Sequence, residues 1–271
     1  MIVTLLSDFG LSDVYVGVMK GVIATINPEI QVIDLTHQIP PQEIAMGRFQ
    51  LMNAFPYFPP STVHVAVVDP GVGSRRRSVA VQLDTGFLVG PDNGLFSGVL
   101  SQNYAIAAVE LTNRNYWRTP EPSSTFHGRD VYSAVGAYLA TGVPLEYLGN
   151  AIDPNSLVQF SLPEPIETRF GVQGAIQAID HFGNLITNIP AHHVHGQAWS
   201  IRVDDGVYWG KRTYADASRG EIIGLPGSHG WIEIAANRGN AQKKLGLIVG
   251  SLVSVVLESQ LNGHDLSAAE L

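Results

Sequence analysis

The first 150 residues of the chain alternate two kinds of apolar pattern, and this alternation constrains the fold more than any other feature. Short runs rich in Val, Ile and Leu, such as IVTLLS at 2–7 and TVHVAVVD at 62–69, are typical of strands buried on both faces. Segments with apolar residues at helical spacing lie between them, such as VYVGVMKGVIATIN at 14–27 and PPQEIAMGRFQLMNAF at 40–55. We therefore predict an α/β domain with a mixed, mainly parallel sheet, in which Pro41 occupies the first turn of the second helix.

The pattern changes at SLPEPIETRFG, residues 161–171, where prolines and charges indicate a linker. Short strand-like runs and tight turns follow, which predict a small β-barrel or sandwich. We place the N-terminal α/β domain, with the catalytic residues, at 1–163 and the C-terminal β-barrel domain at 171–262. We expect the tail NGHDLSAAEL at 262–271 to be frayed.

The composition excludes several classes of protein. Lys and Arg number 16 against 24 Asp and Glu, a net charge of −8, whereas a nucleic-acid binder needs a basic face. The chain has no Cys, so disulfides and thiolate chemistry are excluded. No apolar run approaches the roughly 18 residues of a membrane span, and the first ten residues do not resemble a signal peptide. We expect a cytoplasmic protein that binds neither membrane nor nucleic acid.

The stretch SDFGLSD contains the first candidate site. Asp8 follows the first predicted strand, at the edge where open α/β sheets bind ligands, and a carboxylate there can accept both hydroxyls of a ribose. The alternative is that Asp8 or Asp13 caps the helix that follows. We take Asp8, Phe9 and Asp13 as candidate substrate-binding residues.

In the stretch VVDPGVGSRRR at 67–77, a predicted strand ends at Asp69. A turn with two glycines follows, and three consecutive arginines come after it. Glycine amides with Arg side chains can hold a phosphate, but the spacing is that of neither a P-loop nor GxGxxG, and no helix follows. Side chains alternate along extended chain, so Arg76 should point away from Arg75 and Arg77. A basic surface turn is the other interpretation. We expect Arg75 and Arg77 to be solvated.

The stretch STFHGRD places His127 in a polar loop just before a predicted helix. A helix N-terminus would lower the pKa of the imidazole and favour a nearby anion. A histidine in a loop can equally be an ordinary surface residue. The position after a strand makes His127 a candidate for the same sheet edge as Asp8 and Asp69.

Polar residues in the second half form two weaker candidates. In DHFGNLITNIP, Asp180, Phe182 and Asn184 fall on alternate positions and would share a face of a continued strand, where they could hold an ammonium group and an adenine-like ring. A strand kinked at Gly183 is the alternative. Near the end of the chain, polar residues among turns could belong to a binding surface or be solvated turn residues: Ser228, Glu233 and Asn237.

The run HHVH, with His192, His193 and His195, raises the possibility of a metal site. Zinc sites need further ligands in a fixed frame such as HExxH, which this run lacks. We therefore predict no metal site, and we predict no cofactor.

The motifs LLSDFGLSD, VVDPGVGSRRR, FHGRD, DHFGNLITNI and NRGNAQKKLG together resemble the S-adenosylmethionine hydrolases that form adenosine, also called S-adenosylmethionine hydroxide adenosyltransferases. The resemblance runs from about residue 2 to about residue 258. It implies an α/β domain, a β-barrel domain and a homotrimer. The active sites would then lie between the first domain of one subunit and the second domain of its neighbour.

The resemblance also implies roles for individual residues. The catalytic Asp, Arg and His of the family fall on Asp69, Arg76 and His127, and the ribose-binding Asp falls on Asp8. The residues that hold the methionine and adenine ends resemble a second set, to which Ser228 and Glu233 are looser additions: Asp180, Phe182, Asn184 and Asn237.

The halogenating relatives of this family lack an acid at the position of Asp69 and carry an extra loop in the first domain. This chain has Asp69, and its segment between GPDNG and FHGRD is short. The resemblance therefore implies attack by water or hydroxide at the ribose C5′ of S-adenosylmethionine. Two alternatives are a protein that binds an adenosine compound without turnover, and a phosphate-ester enzyme that uses the Gly–Arg loop.

Overall fold

A computed structural model of the chain describes residues 1–258. The chain divides into two compact units, one spanning Met1–Phe160 and the other beginning at Ser161. The tail that we expect to be frayed, 262–271, lies outside the described residues. Each unit is considered by itself below.

The first unit contains one seven-stranded sheet in the order β2-β1-β3-β5-β4-β6-β7. Strands β2, β1, β3 and β5 pair in parallel, and β4, β6 and β7 are antiparallel to their neighbours. The predicted mixed sheet is confirmed. Its strands are β1 (Ile2–Ser7), β2 (Gln31–Thr36), β3 (Thr62–Val67), β4 (Ser78–Leu83), β5 (Gly86–Pro91), β6 (Ala105–Glu110) and β7 (Asn150–Ile152).

Helices and turns connect these strands. The helices are α1 (Tyr15–Ile26), α2 (Ile44–Ala54), α3 (Ser97–Leu100) and α4 (Ser133–Ala140), with a π-helical turn at Gly128–Tyr132. Short 3₁₀ turns occur at Phe55–Tyr57, Arg114–Tyr116, Leu145–Tyr147 and Pro154–Ser156.

The prediction that Pro41 occupies the first turn of α2 is wrong. The helix begins at Ile44, because Gln42 adopts a left-handed conformation with φ of 69°. A non-glycine residue in this region is uncommon and breaks the helical geometry. The backbone N–H of Gln42 donates instead to Oδ2 of Asp8, 2.8 Å away. The helix is therefore shortened by a contact with the first candidate site.

The core of the first unit lies on the valine-rich strands. All six residues of β3 are buried, and Val3, Leu5 and Val65 join Met19 and Ile23 of α1 in one cluster. Burial on both faces explains why these strands have continuous rather than alternating apolar residues.

The second unit is a nearly closed antiparallel sheet in the order β12-β11-β15-β9-β10-β14-β13, with β8 paired to β9. An isolated bridge pairs Gly210, which directly follows β12, with Gly224 of β13. This bridge joins the two end strands of the sheet. The predicted β-barrel is confirmed. Its strands are β8 (Ile166–Thr168), β9 (Gly171–Ile179), β10 (Leu185–Pro190), β11 (Trp199–Val203), β12 (Gly206–Trp209), β13 (Ile222–Pro226), β14 (Trp231–Ala236) and β15 (Leu252–Leu257).

Ile176, Leu185, Trp199 and Ile234 pack in the interior of this barrel. One helix, α5 (Ala241–Leu245), and 3₁₀ turns at Ala191–Val194 and Tyr214–Asp216 complete the unit. Across residues 1–258, no helix combines the length and apolar character that a membrane crossing requires. The cytoplasmic location stays a prediction.

Candidate active site

Two acidic residues lie at one edge of the first sheet. Asp8 follows β1 and Asp69 comes two residues after β3, and these strands pair in parallel with Ser7 opposite Val67. The carboxyl ends of parallel strands meet at one edge, which is where open α/β sheets bind ligands. The expectation that Asp8 and Asp69 share an edge is confirmed.

Arg76 is bound to Asp69 through two nitrogens. Its Nε donates to Oδ1 of Asp69 at 2.8 Å, and its Nη2 donates to Oδ2. Nη1 donates to Oγ of Ser78 at 2.8 Å, and the guanidinium lies 5.7 Å from the centre of the Tyr132 ring. The two side chains are only 11% and 5% exposed. Burial lowers the pKa of Arg76, but hydrogen bonding and the charge of Asp69 outweigh it, so the pKa lies above its ordinary value.

His127 completes a hydrogen-bonded array with this pair. Its Nδ1 lies 2.9 Å from Nη2 of Arg76. Burial, followed by the positive charge of Arg76, lowers the pKa of His127. The direction of this shift is as predicted, but its causes are burial and a guanidinium rather than the helix end named from the sequence. Asp69, Arg76 and His127 are therefore brought together.

The buried Asp130 anchors the loop that carries His127. Its carboxylate accepts hydrogen bonds from Nε of Arg118 at 2.6 Å, from Nε of Arg129 at 2.7 Å and from the backbone N–H of Ser123 at 2.9 Å. Burial raises the pKa of Asp130, but these donors outweigh it and hold the pKa well below its usual range. The loop is therefore tied down on both sides of His127.

The neighbours of Arg76 differ from each other. Arg75 is exposed, as predicted. Arg77 is not a solvated residue, and that prediction is wrong: its Nε donates to the buried Asp92 at 2.8 Å and its Nη1 donates to Oγ of Ser156 at 2.9 Å. The side chain of Arg77 points away from that of Arg76, as strand alternation predicts. It contacts Asp92 and Ser156, however, instead of pointing into solvent.

The interpretation of Asp8 or Asp13 as a helix cap is wrong. Helix α1 begins after Val14 without a side-chain hydrogen bond at its N-terminus. Asp8 accepts instead from Gln42, and Asp13 is exposed in the loop before α1. The Phe9 ring lies 5.6 Å from that of Phe126, so Phe9 is part of an aromatic cluster beside His127.

In the second unit, the residues Asp180 to Asn184 form a tight turn rather than a continued strand, so the prediction of a shared strand face is wrong. Strand β9 ends at Ile179 and pairs there with Leu185. Oδ1 of Asp180 accepts from the backbone N–H groups of Phe182 and Asn184, at 2.9 and 2.8 Å, and Oδ2 accepts from Nδ2 of Asn184 at 2.9 Å. Hydrogen bonding within the turn brings the side chains of Asp180 and Asn184 together, whereas Phe182 takes part through its backbone N–H.

A cavity of about 380 Å³ lies beside this turn. Phe182, 71% exposed, and the buried Asn184 contribute to its lining. The other lining residues are Tyr214, Ala236, Arg238 and Gly239. Tyr214 and Arg238 were missed from the sequence, because only the tertiary fold brings the turn at 213–216 and the end of β14 to the Asp180 turn.

Glu233 is a buried acid on β14 rather than a solvated turn residue. It accepts a hydrogen bond from the hydroxyl of Tyr214 and lies 3.1 Å from Nε2 of His229. Burial and the Glu233 carboxylate raise the pKa of Tyr214, so the phenol stays a donor. Nδ2 of Asn237 donates to the carbonyl of Ala217 at 2.7 Å, whereas Ser228 is exposed in a turn.

The HHVH run provides no ligand frame in the structure. His192 and His193 lie in a 3₁₀ turn with their rings stacked at 4.3 Å. Within residues 1–258, no three His, Asp or Glu side chains are grouped to hold a metal ion.

Two family models match the chain. The SAM hydroxide adenosyltransferase N-terminal domain matches residues 3–149 and the C-terminal domain of the same name matches residues 174–254. A curated (R)-S-adenosyl-L-methionine hydrolase from Salinispora tropica is 38% identical over 250 residues, or 92% of this chain and 95% of the relative. A fluorinase from Actinoplanes sp. is 29% identical over 289 residues, covering 94% of this chain and 97% of the relative. The crystal structure of an uncharacterized conserved protein from Thermotoga maritima superposes with a TM-score of 0.86 at 34% identity, covering 94% of this chain and all of that one.

Proposed function

Because the chain belongs to the SAM hydroxide adenosyltransferase family, we propose that it hydrolyses S-adenosyl-L-methionine to adenosine and L-methionine. The oxygen of water forms a bond to the ribose C5′ while the C5′–S bond breaks. The electron pair of that bond stays on sulfur, which leaves as neutral methionine, and one proton passes to solvent. The leaving group therefore needs no acid, and the site must place and polarise one water.

The array of Asp69, Arg76 and His127 is the observation that supports this chemistry most. Of the five N–H groups of Arg76, four are directed to Asp69, Ser78 and His127 among residues 1–258, which leaves one on Nη1 for the attacking water. Asp69 offsets the guanidinium charge, which would otherwise repel a sulfonium. Holding the water in line behind C5′ can contribute several kcal/mol.

We assign His127 the role of a hydrogen-bond donor. The guanidinium of Arg76 stays protonated, so Nδ1 of His127, which faces it at 2.9 Å, must be the acceptor. The proton of the neutral ring is then on Nε2. A histidine beside the attacking water can either accept its proton or orient it, and this contact favours orientation. An Nε2–H donor also stabilises hydroxide character as it develops on the water.

The remaining candidates would hold the substrate. Asp8 has one carboxyl oxygen on Gln42, and we propose that the other accepts the ribose hydroxyls. The cavity between Phe182 and Tyr214 offers aromatic surfaces for the adenine ring. The negative charge of Asp180 would attract the methionine ammonium, with Asn184 held beside it. The resemblance places Asn237 among the residues that hold the methionine and adenine ends, and this role stays part of the proposal.

The function is tested by incubating the protein with S-adenosylmethionine and measuring adenosine and methionine by chromatography. Both products should appear in equal amounts. Arg76→Ala should lower kcat/KM by about 100-fold or more, because the water loses its polarising donor. Asp69→Asn should have a loss of similar size, because the carboxylate that holds Arg76 and offsets its charge is gone. Arg75→Ala is the matched control and should change kcat/KM less than about two-fold, since Arg75 is exposed.

Three outcomes would contradict the proposal. Equal losses from Arg75→Ala and Arg76→Ala would refute the assignment of Arg76. Bound adenosine compound without turnover would indicate a binding protein. A 5′-halogenated product at high chloride or fluoride would indicate the chemistry named for the fluorinase relative rather than hydrolysis.

We also propose that the protein is a homotrimer in which each active site draws residues from two subunits. The assembly implied by the family resemblance supports this proposal. So do the exposed apolar side chains of Leu11, Val14 and Tyr15, which are 65%, 73% and 46% exposed on the segment that follows Asp8. A second copy that covers this segment would remove an unfavourable apolar surface from water.

A further inference from the structure

A Ser–His–Asp arrangement, with a buried serine and histidine and an exposed aspartate, lies beside the loop that carries Asp8. Oγ of Ser7 lies 2.7 Å from Nδ1 of His37, and Nε2 of His37 lies 3.0 Å from Oδ1 of Asp34. Oδ2 of Asp34 accepts in turn from Nζ of Lys20 at 2.6 Å. Ser7 and His37 are 0% and 3% exposed.

The residue types are those of a hydrolase triad, but among residues 1–258 Nε2 of His37 makes no aligned hydrogen bond despite its distance to Asp34, and Ser7 is not placed as a nucleophile. A nucleophilic hydroxyl must reach a substrate, and Ser7 has no exposed surface. Its Oγ also accepts from the backbone N–H of Phe9 at 3.3 Å. The hydroxyl therefore connects the imidazole of His37 to the backbone of the loop that contains Asp8 and Phe9.

Two further hydrogen bonds join the same loop to the segment 37–42. The backbone N–H of Gly10 donates to the carbonyl of His37 at 2.8 Å, and the backbone N–H of Gln42 donates to Oδ2 of Asp8 at 2.8 Å. Gly10 and Gln42 both adopt left-handed conformations, with φ of 68° and 69°. The contacts between the two segments hold these conformations. The position of the Asp8 carboxylate therefore depends on how rigidly His37 is held in place.

We propose that Ser7 and His37 are positioning residues that fix the Asp8 carboxylate for the substrate ribose. The inference rests on the proposed function, because it takes Asp8 as the ribose ligand. Without the Ser7–His37 bond, the loop from Ser7 to Gly10 would sample other positions, and Asp8 would bind the ribose hydroxyls less often.

The chain offers a matched control for this proposal. Oγ1 of Thr4, on the same strand β1, lies 2.8 Å from Nδ1 of His64, and these residues are 0% and 2% exposed. Ser7→Ala and Thr4→Ala each remove one buried hydroxyl–imidazole bond, so both should lower Tm. Only Ser7 borders the loop of Asp8.

The test measures the Kd for adenosine by calorimetry and the kinetic constants for S-adenosylmethionine. Ser7→Ala should raise Kd and KM about ten-fold, the cost of one buried hydrogen bond, with a smaller change in kcat. Thr4→Ala should leave Kd and KM within about two-fold. His37→Gln, which removes the imidazole from the other side of the bond, should reproduce the effect of Ser7→Ala.

Two readouts separate positioning from a loss of stability. In an Asp8→Asn background, Ser7→Ala should have little further effect on Kd, because it acts through Asp8. Hydrogen exchange of the Gly10 and Gln42 amides, which donate to His37 and Asp8 rather than to Ser7, should accelerate about ten-fold or more in Ser7→Ala and stay unchanged in Thr4→Ala. Unchanged exchange and Kd in Ser7→Ala, or a full effect in the Asp8→Asn background, would overturn the inference. Amide exchange and the Kd for adenosine need no turnover, so together they decide the inference even if the wild-type protein fails to hydrolyse S-adenosylmethionine.

Discussion

The contact between His127 and Arg76 makes protonation of the imidazole unfavourable. Protonation would place a hydrogen on Nδ1, which faces Nη2 of Arg76 at 2.9 Å, and would leave two donors opposed without an acceptor. Burial and the guanidinium charge lower the pKa of His127, whereas the charge of Asp69 raises it. The neutral ring, with its donor on Nε2, is therefore the form that we expect near neutral pH.

The pH dependence of turnover should reflect this ring. Protonated His127 is the inactive form, so kcat/KM should fall as the pH falls through the lowered pKa of His127, on the acid side of 6.5. In NMR titrations the His127 signals should show the same midpoint. Asp69→Asn should move it to still lower pH, since the carboxylate that favours the charged ring is gone. A midpoint at or above 6.5, or no shift in Asp69→Asn, would contradict this account.

The choice among the three arginines shows how far residue-level prediction reaches. Strand alternation separated Arg76 from its neighbours, because side-chain direction follows from the local backbone. It could not identify the partner of Arg77, since Asp92 and Ser156 are distant in the sequence. For the same reason Tyr214 and Arg238 could not be assigned to the cavity beside Phe182.

At the scale of elements, the strands of the first unit were predictable and the start of α2 was not. Runs of Val and Ile specify buried strands through their own chemistry, and β1 and β3 then bring Asp8 and Asp69 to one edge. The start of α2 at Ile44 depends on the hydrogen bond from Gln42 to Asp8, a contact between two loops. The turn at Asp180 was mistaken for a strand because its period of two comes from hydrogen bonds to one carboxylate.

The strand β3 contains a buried histidine that should make the first unit sensitive to acid. Burial lowers the pKa of His64 from 6.5 to about 4. The imidazole of His64 binds a proton more readily in the unfolded chain than in the folded one. The contribution of the neutral ring to the free energy of unfolding is therefore fully present above pH 6.5 and is lost as the pH falls towards 4. The loss from His64 should amount to about 3 kcal/mol in the free energy of unfolding.

Urea unfolding at several pH values measures this loss. In His64→Gln the decline between pH 6.5 and 4 should be smaller than in the wild-type protein by about 3 kcal/mol, whatever the stability of the variant at neutral pH. His192→Gln, the same substitution at an exposed position, serves as the control. Equal slopes in the wild-type protein and His64→Gln would show that the ring is not held neutral in the fold.

At the scale of the whole molecule, the candidate residues are divided between two units with separate cores. Asp8, Asp69, Arg76 and His127 belong to the first unit, around the sheet edge. The aromatic cavity with Asn184 and Tyr214 belongs to the second. Under the proposed mechanism, one set activates water and the other holds the methionine and adenine ends. Each set therefore needs the other, and the proposed trimer supplies both from different subunits.

Mixing two inactive variants tests this sharing of sites. Asp69→Asn impairs the first set and Asn184→Ala the second, so each homotrimer should be nearly inactive. We consider the case in which every site combines the first unit of one chain with the second unit of the next. An equal mixture that is unfolded and refolded together should then regain about a quarter of wild-type activity, because about a quarter of the sites receive an unsubstituted first unit and an unsubstituted second unit. Light scattering should give a mass of three 29.2 kDa chains for both variants and for the mixture. A mixture that forms trimers but stays as inactive as its parents would place each site within one chain.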